Sequence, residues 1–188
     1  MEIMTVGGQI VEDEQMGSSE IGGERGDLLA LLGKSRHFLR FTTRGLSDEQ
    51  ARQRTTASEL CLGGLIKHVM GVERGWAGFI LEGAGAMPDF SAMTEEDFAE
   101  WGSQFQLLPG ETLAGVLDEY AEVARRTDEL VVSVPDLDLL RELPKAPWFQ
   151  EEAWSVRRAF MHIVAETAQH AGHADIIRES LDGAKTMG

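Results

Sequence analysis

The chain has 188 residues, 43% of them hydrophobic and 26% charged, which suits one soluble globular domain and excludes disordered and collagen-like classes. Lysine and arginine total 17 against 32 aspartates and glutamates, a formal net charge of -15, so the phosphate attraction that drives nucleic-acid binding has little to work with and no nucleic-acid partner is expected. No apolar run approaches the roughly 18–20 residues that span a bilayer, the single cysteine Cys61 has no intramolecular disulfide partner, and no charged-then-apolar leader opens the sequence; a cytoplasmic protein without a membrane partner is expected.

Residues 1–23 hold Gly7, Gly8, Gly17, Gly22 and Gly23 among scattered acids without a sustained period, which reads as a flexible N-terminal tail ahead of a domain over 24–184. From Glu24, Leu28, Leu31, Leu32, Phe38 and Leu39 recur at helical spacing until Gly45 and predict a first long helix. Ser47 and Gln50 have the spacing of a capping box on a short turn, and Thr56 or Ser58 is expected to cap the next helix. Leu62, Leu65, Ile66, Val69, Val72, Trp76, Phe79 and Ile80 mark a second long helix ended by Gly83 and Gly85. The connection over 84–110 holds Pro88 and Pro109 and a short helix capped by Thr94 with Asp97. Leu113, Val116, Tyr120, Val123, Thr127 and Leu130 give a third long helix ending before Pro135, and after a linker with Pro144 and Pro147 a fourth runs from about Trp154 to Leu181, with Gly183 as its stop. No segment alternates with period two between hairpin turns, so no strand is expected. The expected fold class is all-α: a four-helix bundle, read as antiparallel.

Polar residues interrupt two apolar faces. His68 lies three residues after Leu65 and four before Val72, so it points toward the bundle interior. In the fourth helix the stripe of Ala159, Ile163, Ala174, Ile177 and Leu181 also carries His162, Glu166, His170 and His173, four residues within roughly 80° of one another at about 100° per residue. A buried carboxylate such as Glu166 must be protonated, paired or bound to a cation. Residues four apart on a helix can share one ion, but the run from His162 to His173 spans about 16 Å. One adjacent pair can therefore chelate, with His68 as the third ligand. Spacing alone does not rank His162/Glu166, Glu166/His170 and His170/His173, and a metal-free Glu–His hydrogen-bonded network competes with all three.

The run Leu62-Gly63-Gly64-Leu65-Ile66-Lys67-His68-Val69, followed by Val72-Glu73-Arg74 and Trp76, together with Glu166-Thr167-Ala168-Gln169-His170-Ala171-Gly172-His173-Ala174-Asp175 and Arg178-Glu179, resembles the DinB-like (YfiT-like) metalloenzymes, including the metal domain of mycothiol-dependent maleylpyruvate isomerase. The likeness covers about residues 24–184. It implies a four-helix bundle holding a divalent metal through His68, Glu166 and His170, the Glu-x-x-x-His form resembling the isomerase subgroup. The isomerase's additional C-terminal domain has no counterpart here, so isomerisation itself is not implied.

Three such ligands leave a position for water or substrate, unlike a closed four-ligand structural site. Zn2+ there would generate hydroxide or thiolate near neutral pH, and Ni2+, Fe2+ or Mn2+ suit the same ligands. Similar proteins act as thiol S-transferases, so the resemblance implies a low-molecular-weight, mycothiol-like thiol as co-substrate and a small electrophile as its partner. The competing readings are a metal-dependent hydrolase and a non-enzymatic metal-stabilised stress or binding protein. His173 and His162 are the candidate general bases, or else orient the ligands. Trp76, with Trp148, Phe149 and Trp154, is a candidate for an apolar mouth holding the thiol, against a reading as plain core. Arg157 and Arg178 are candidates for an acidic substrate, against ordinary salt bridging. Cys61 lies about 10 Å along the helix from His68 and reads as a small buried hydrophobe. An apolar helix face is compatible with a homodimer.

Overall fold

The computed structural model describes residues 21–186. Most of the expected tail therefore lies outside the described residues, and the first helix begins at Gly23. Four long helices carry the structure: α1 (Gly23–Phe41), α3 (Leu62–Glu82), α5 (Leu113–Ser133) and α6 (Val156–Asp182). Two short ones, α2 (Asp48–Arg52) and α4 (Glu95–Gly102), sit in the connections. α6 packs against α1 and α3, α3 packs against α5, and a thinner contact between α5 and α1 closes the cycle.

Local chemistry sets the ends. Ser47 with Gln50 and Thr94 with Asp97 form reciprocal capping boxes on α2 and α4, and the hydroxyls of Thr112 and Ser155 accept amides of α5 and α6. Gly183 ends α6 at φ 78°, a left-handed conformation that only glycine adopts without strain. Thr56 and Ser58 do not cap α3 as expected. Their hydroxyls accept the Ser58 and Leu60 amides instead, and Cys61 takes the N-cap position without a side-chain bond.

The core explains the helix directions. One apolar cluster joins Leu39 at the end of α1, Leu62 to Met70 at the start of α3, Leu113 to Val123 at the start of α5, and Ala171 to Ile177 late in α6. The other joins Leu28 and Leu32 early in α1, Trp76 to Ile80 late in α3, Leu130 and Val131 late in α5, and Val156 to Ile163 early in α6. So α1 and α6 run one way, and α3 and α5 the other. Simple up-down alternation is corrected: the connection between α3 and α5 is long enough to return the chain along the bundle, which makes α3 and α5 parallel neighbours.

Between the two clusters lies a buried polar layer of Ser35 and Arg36 on α1, Glu73 on α3, Thr127 on α5 and Thr167 on α6. Arg36 donates to Glu73 twice, at 2.6 and 3.1 Å, and to Asp128 at 2.8 Å. Burial opposes the Arg36 charge, but the Glu73 and Asp128 carboxylates outweigh it and hold the guanidinium protonated. Burial pushes the Asp128 carboxyl up.

The last linker contains a short antiparallel ladder the sequence did not suggest: β1 (Leu140–Glu142) against β2 (Ala153–Ser155). Three-residue strands are too short to show alternation. The pairing continues into α6, where the amides of Val156 and Arg157 donate to the carbonyls of Leu139 and Leu137 at 3.0 and 2.8 Å. These are two of the amides that a helix start leaves open.

Gly63 and Gly64 let the chain over 105–107 lie directly on α3. A Cβ on Gly64 would meet the Phe105 carbonyl oxygen at 1.9 Å, whereas one on Gly75 would meet nothing within 4 Å. We therefore expect Gly64→Ala to destabilise by about 1–3 kcal/mol through overpacking, while Gly75→Ala stabilises by about 0.5–1 kcal/mol through helix propensity. Urea unfolding of the two variants checks the opposite signs.

Candidate metal centre

α3 presents His68 across the α3–α6 contact to the stripe on α6. The donor atoms of His68, Glu166 and His170 all lie within 4.8 Å of one another, close enough to share one ion. His68 is buried, and Glu166 and His170 are half-buried. The His68 and His170 rings meet edge to face at 4.8 Å, and His68 also stacks on Phe105 at 4.1 Å. Phe105 reaches that position because Gly64 admits its backbone.

The electrostatics suit metal binding. Burial, reinforced by His170, pushes the His68 imidazole down to about 4. The neighbouring His170 holds the Glu166 carboxyl below its usual range, with His162 adding to the effect against burial. A neutral imidazole and an ionised carboxylate are the forms that donate lone pairs to a cation. Among the described residues, His68 Nδ1 is buried without a hydrogen-bond partner, an expense for a metal-free site that a bound cation at the ring would relieve. Glu166 lies 3.7 Å from His170 Nε2 and 3.8 Å from His162 Nε2, beyond hydrogen-bonding distance. The Glu–His pairs are thus not closed hydrogen bonds. The donor set therefore fits a divalent ion.

The remaining sequence candidates separate. His173 turns its Nδ1 to His170 Nδ1 at 3.3 Å, which leaves His170 Nε2 facing Glu166. That is the arrangement by which a neighbour fixes the ring and tautomer of a ligating histidine. His162 packs edge-on against Trp76 at 4.7 Å and Trp154 at 5.2 Å, and burial lowers its pKa. Trp76 is core, stacked on Trp154 at 4.8 Å, and reaches toward the site through His162. The structure does not bring Arg157 to the group: it is ion-paired with Glu24 and Asp138, and nine residues from Glu166 put it about 180° around the helix. Arg178 donates to Thr42 and Arg44 carbonyls at 2.7 and 2.8 Å and pairs with Asp182, tying the end of α6 to the end of α1. Cys61 is buried, with Sγ toward the Phe105 carbonyl. His37 is exposed and stacked on Phe41.

Sequence reasoning overlooked Phe105. Only the adjacent Gly63-Gly64 pair, which signals a close backbone approach, hinted at a segment packed there.

Comparison with known proteins places the chain in a family. A crystal structure of a conserved protein from Enterococcus faecalis superposes with a TM-score of 0.63 at 12% identity, covering 87% of this chain and 100% of that one; at that identity the likeness speaks for the fold alone. No curated protein matches the chain. The family model for mycothiol-S-transferase matches residues 27–183, which contain all three candidate ligands and the four long helices almost whole. The chain belongs to the mycothiol-S-transferase family, within the DinB-like helical proteins.

Proposed function

We propose that this protein transfers a low-molecular-weight thiol of the mycothiol type to a small electrophile at a divalent-metal centre held by His68, Glu166 and His170. The observation that carries the reading is the convergence of two imidazoles and one carboxylate from two helices in a member of this family. Three protein ligands leave room for an exchangeable one. A divalent ion held by these three residues would lower the pKa of a thiol at the open position and so supply thiolate near neutral pH. Zinc is the ion we assign; nickel, ferrous iron and manganese suit the same donors.

The chain's own residues do the rest. His162 Nε2, 3.8 Å from Glu166, accepts the thiol proton and passes it to solvent. The sulfur forms the S–C bond with the electrophile, and the leaving group departs with the electron pair of the broken bond. His173 positions His170, and Trp76 and Trp154 hold the His162 ring in place.

The test is thiol loss followed with a halogenated arene or an epoxide, using metal-loaded and chelator-treated protein. Consumption should require both metal and thiol. Electrophile turnover without thiol would replace the transferase by a hydrolase, and consumption unaffected by chelation would overturn the metal-dependent reading. Inert protein with metal bound would favour a binding role.

A further inference from the structure

Two tryptophans stand partly in solvent: Trp101 on α4 is 42% exposed and Trp148, in the linker before β2, is 53% exposed. Phe90 packs edge-on against both, at 6.4 and 4.9 Å. From Trp101 the contacts run to Phe105 at 6.0 Å and on to His68 at 4.1 Å. From Trp148 they run through Phe149 and Trp76 to His162, which faces Glu166. Side chains from two connections far apart in sequence therefore form a continuous aromatic chain that starts on the candidate ligand His68 and ends on His162, beside Glu166. Phe90, Trp101 and Trp148 belong to neither apolar cluster of the bundle. Large aromatic faces left in water and joined by ring contacts to a reactive group mark a binding surface, and an electron-rich indole stacks well on an electron-poor ring.

Resting on the thiol-transfer reading, we propose that Phe90, Trp101 and Trp148 bind the planar aromatic part of the electrophile, with Phe105 joining that wall to His68. The site then selects electron-poor aromatic electrophiles over small aliphatic ones.

The experiment has a binding arm and a kinetic arm, on the full-length metal-loaded protein and its Trp101→Leu, Trp148→Leu and double variants. Both side chains are outside the core, and circular dichroism checks that the variants keep the fold. Calorimetric titration with 2,4-dinitroaniline, an inert electron-poor arene, should show each single variant binding about three- to tenfold more weakly than the parent. With 1-chloro-2,4-dinitrobenzene, kcat/KM should fall by the same factor, while with iodoacetamide it stays within about twofold. Equal binding of the inert arene by parent and double variant, or equal losses for both electrophiles, overturns the proposal. If neither electrophile is consumed, the transferase reading fails by itself and the titration still decides whether the wall binds arenes.

Discussion

Glu73→Ala is expected to lower the free energy of unfolding by about 3–5 kcal/mol, the usual cost of removing one partner from a buried ion pair. The Glu73 side chain is completely buried and takes two hydrogen bonds from Arg36. Without it, the guanidinium of Arg36, whose side chain is 7% exposed, keeps only Asp128. The loss is electrostatic and not simply a cavity, so Arg36→Met with Glu73→Leu should recover most of it, because replacing both charges by apolar groups of similar size is often neutral or stabilising. Glu73→Gln should fall between the parent and Glu73→Ala. Urea denaturation of the four proteins measures this. A loss under about 1 kcal/mol for Glu73→Ala would mean that the polar layer carries far less of the stability than its burial indicates.

His68→Ala and His170→Ala are expected to weaken metal affinity by more than about 100-fold, since changing a residue that merely orients a ligand already costs about 10–100-fold. His173→Ala belongs to that smaller class, because His173 touches His170 and not the other two donors. His37→Ala should change nothing, as His37 stacks on Phe41 at the surface. Competition titration against a chromophoric chelator ranks the four variants. Thiol transfer should fall in the same order at limiting metal and recover at high metal for His173→Ala before the other two. Equal affinities across the series would remove these residues from the site.

Much of the fold and of the candidate site was legible in the sequence, for reasons that differ by feature. The long helices show because each keeps one apolar face at period 3.6, and the capping boxes on α2 and α4 show because their partners are three residues apart. That one adjacent pair on α6 could chelate showed for the same local reason, but the choice of Glu166/His170 over His162/Glu166 and His170/His173 came from the family resemblance and not from spacing. Helix direction could not. It depends on a connection of ordinary loop composition carrying the chain back along the bundle, and no local pattern records that. Arg36 interrupts the first helix with a charge that no local pattern marks as buried, and its burial is visible only once Glu73 and Asp128 converge on it from α3 and α5. Arg157 shows the converse. A lone arginine at a helix start suggests an anion site, yet Glu24 and Asp138 already occupy it. Trp148 was already a candidate for an apolar mouth, but its contact with Phe90, and the link of Trp101 through Phe105 to His68, needed the fold.

Anomalous diffraction from crystals grown with zinc tests the central claim most directly. The account predicts one strong peak at the edge of the zinc absorption, within coordination distance of His68, Glu166 and His170, about 2.0–2.2 Å from each donor atom, and absent in His170→Ala crystals grown the same way. A peak elsewhere, or none between α3 and α6 at saturating zinc, would contradict it.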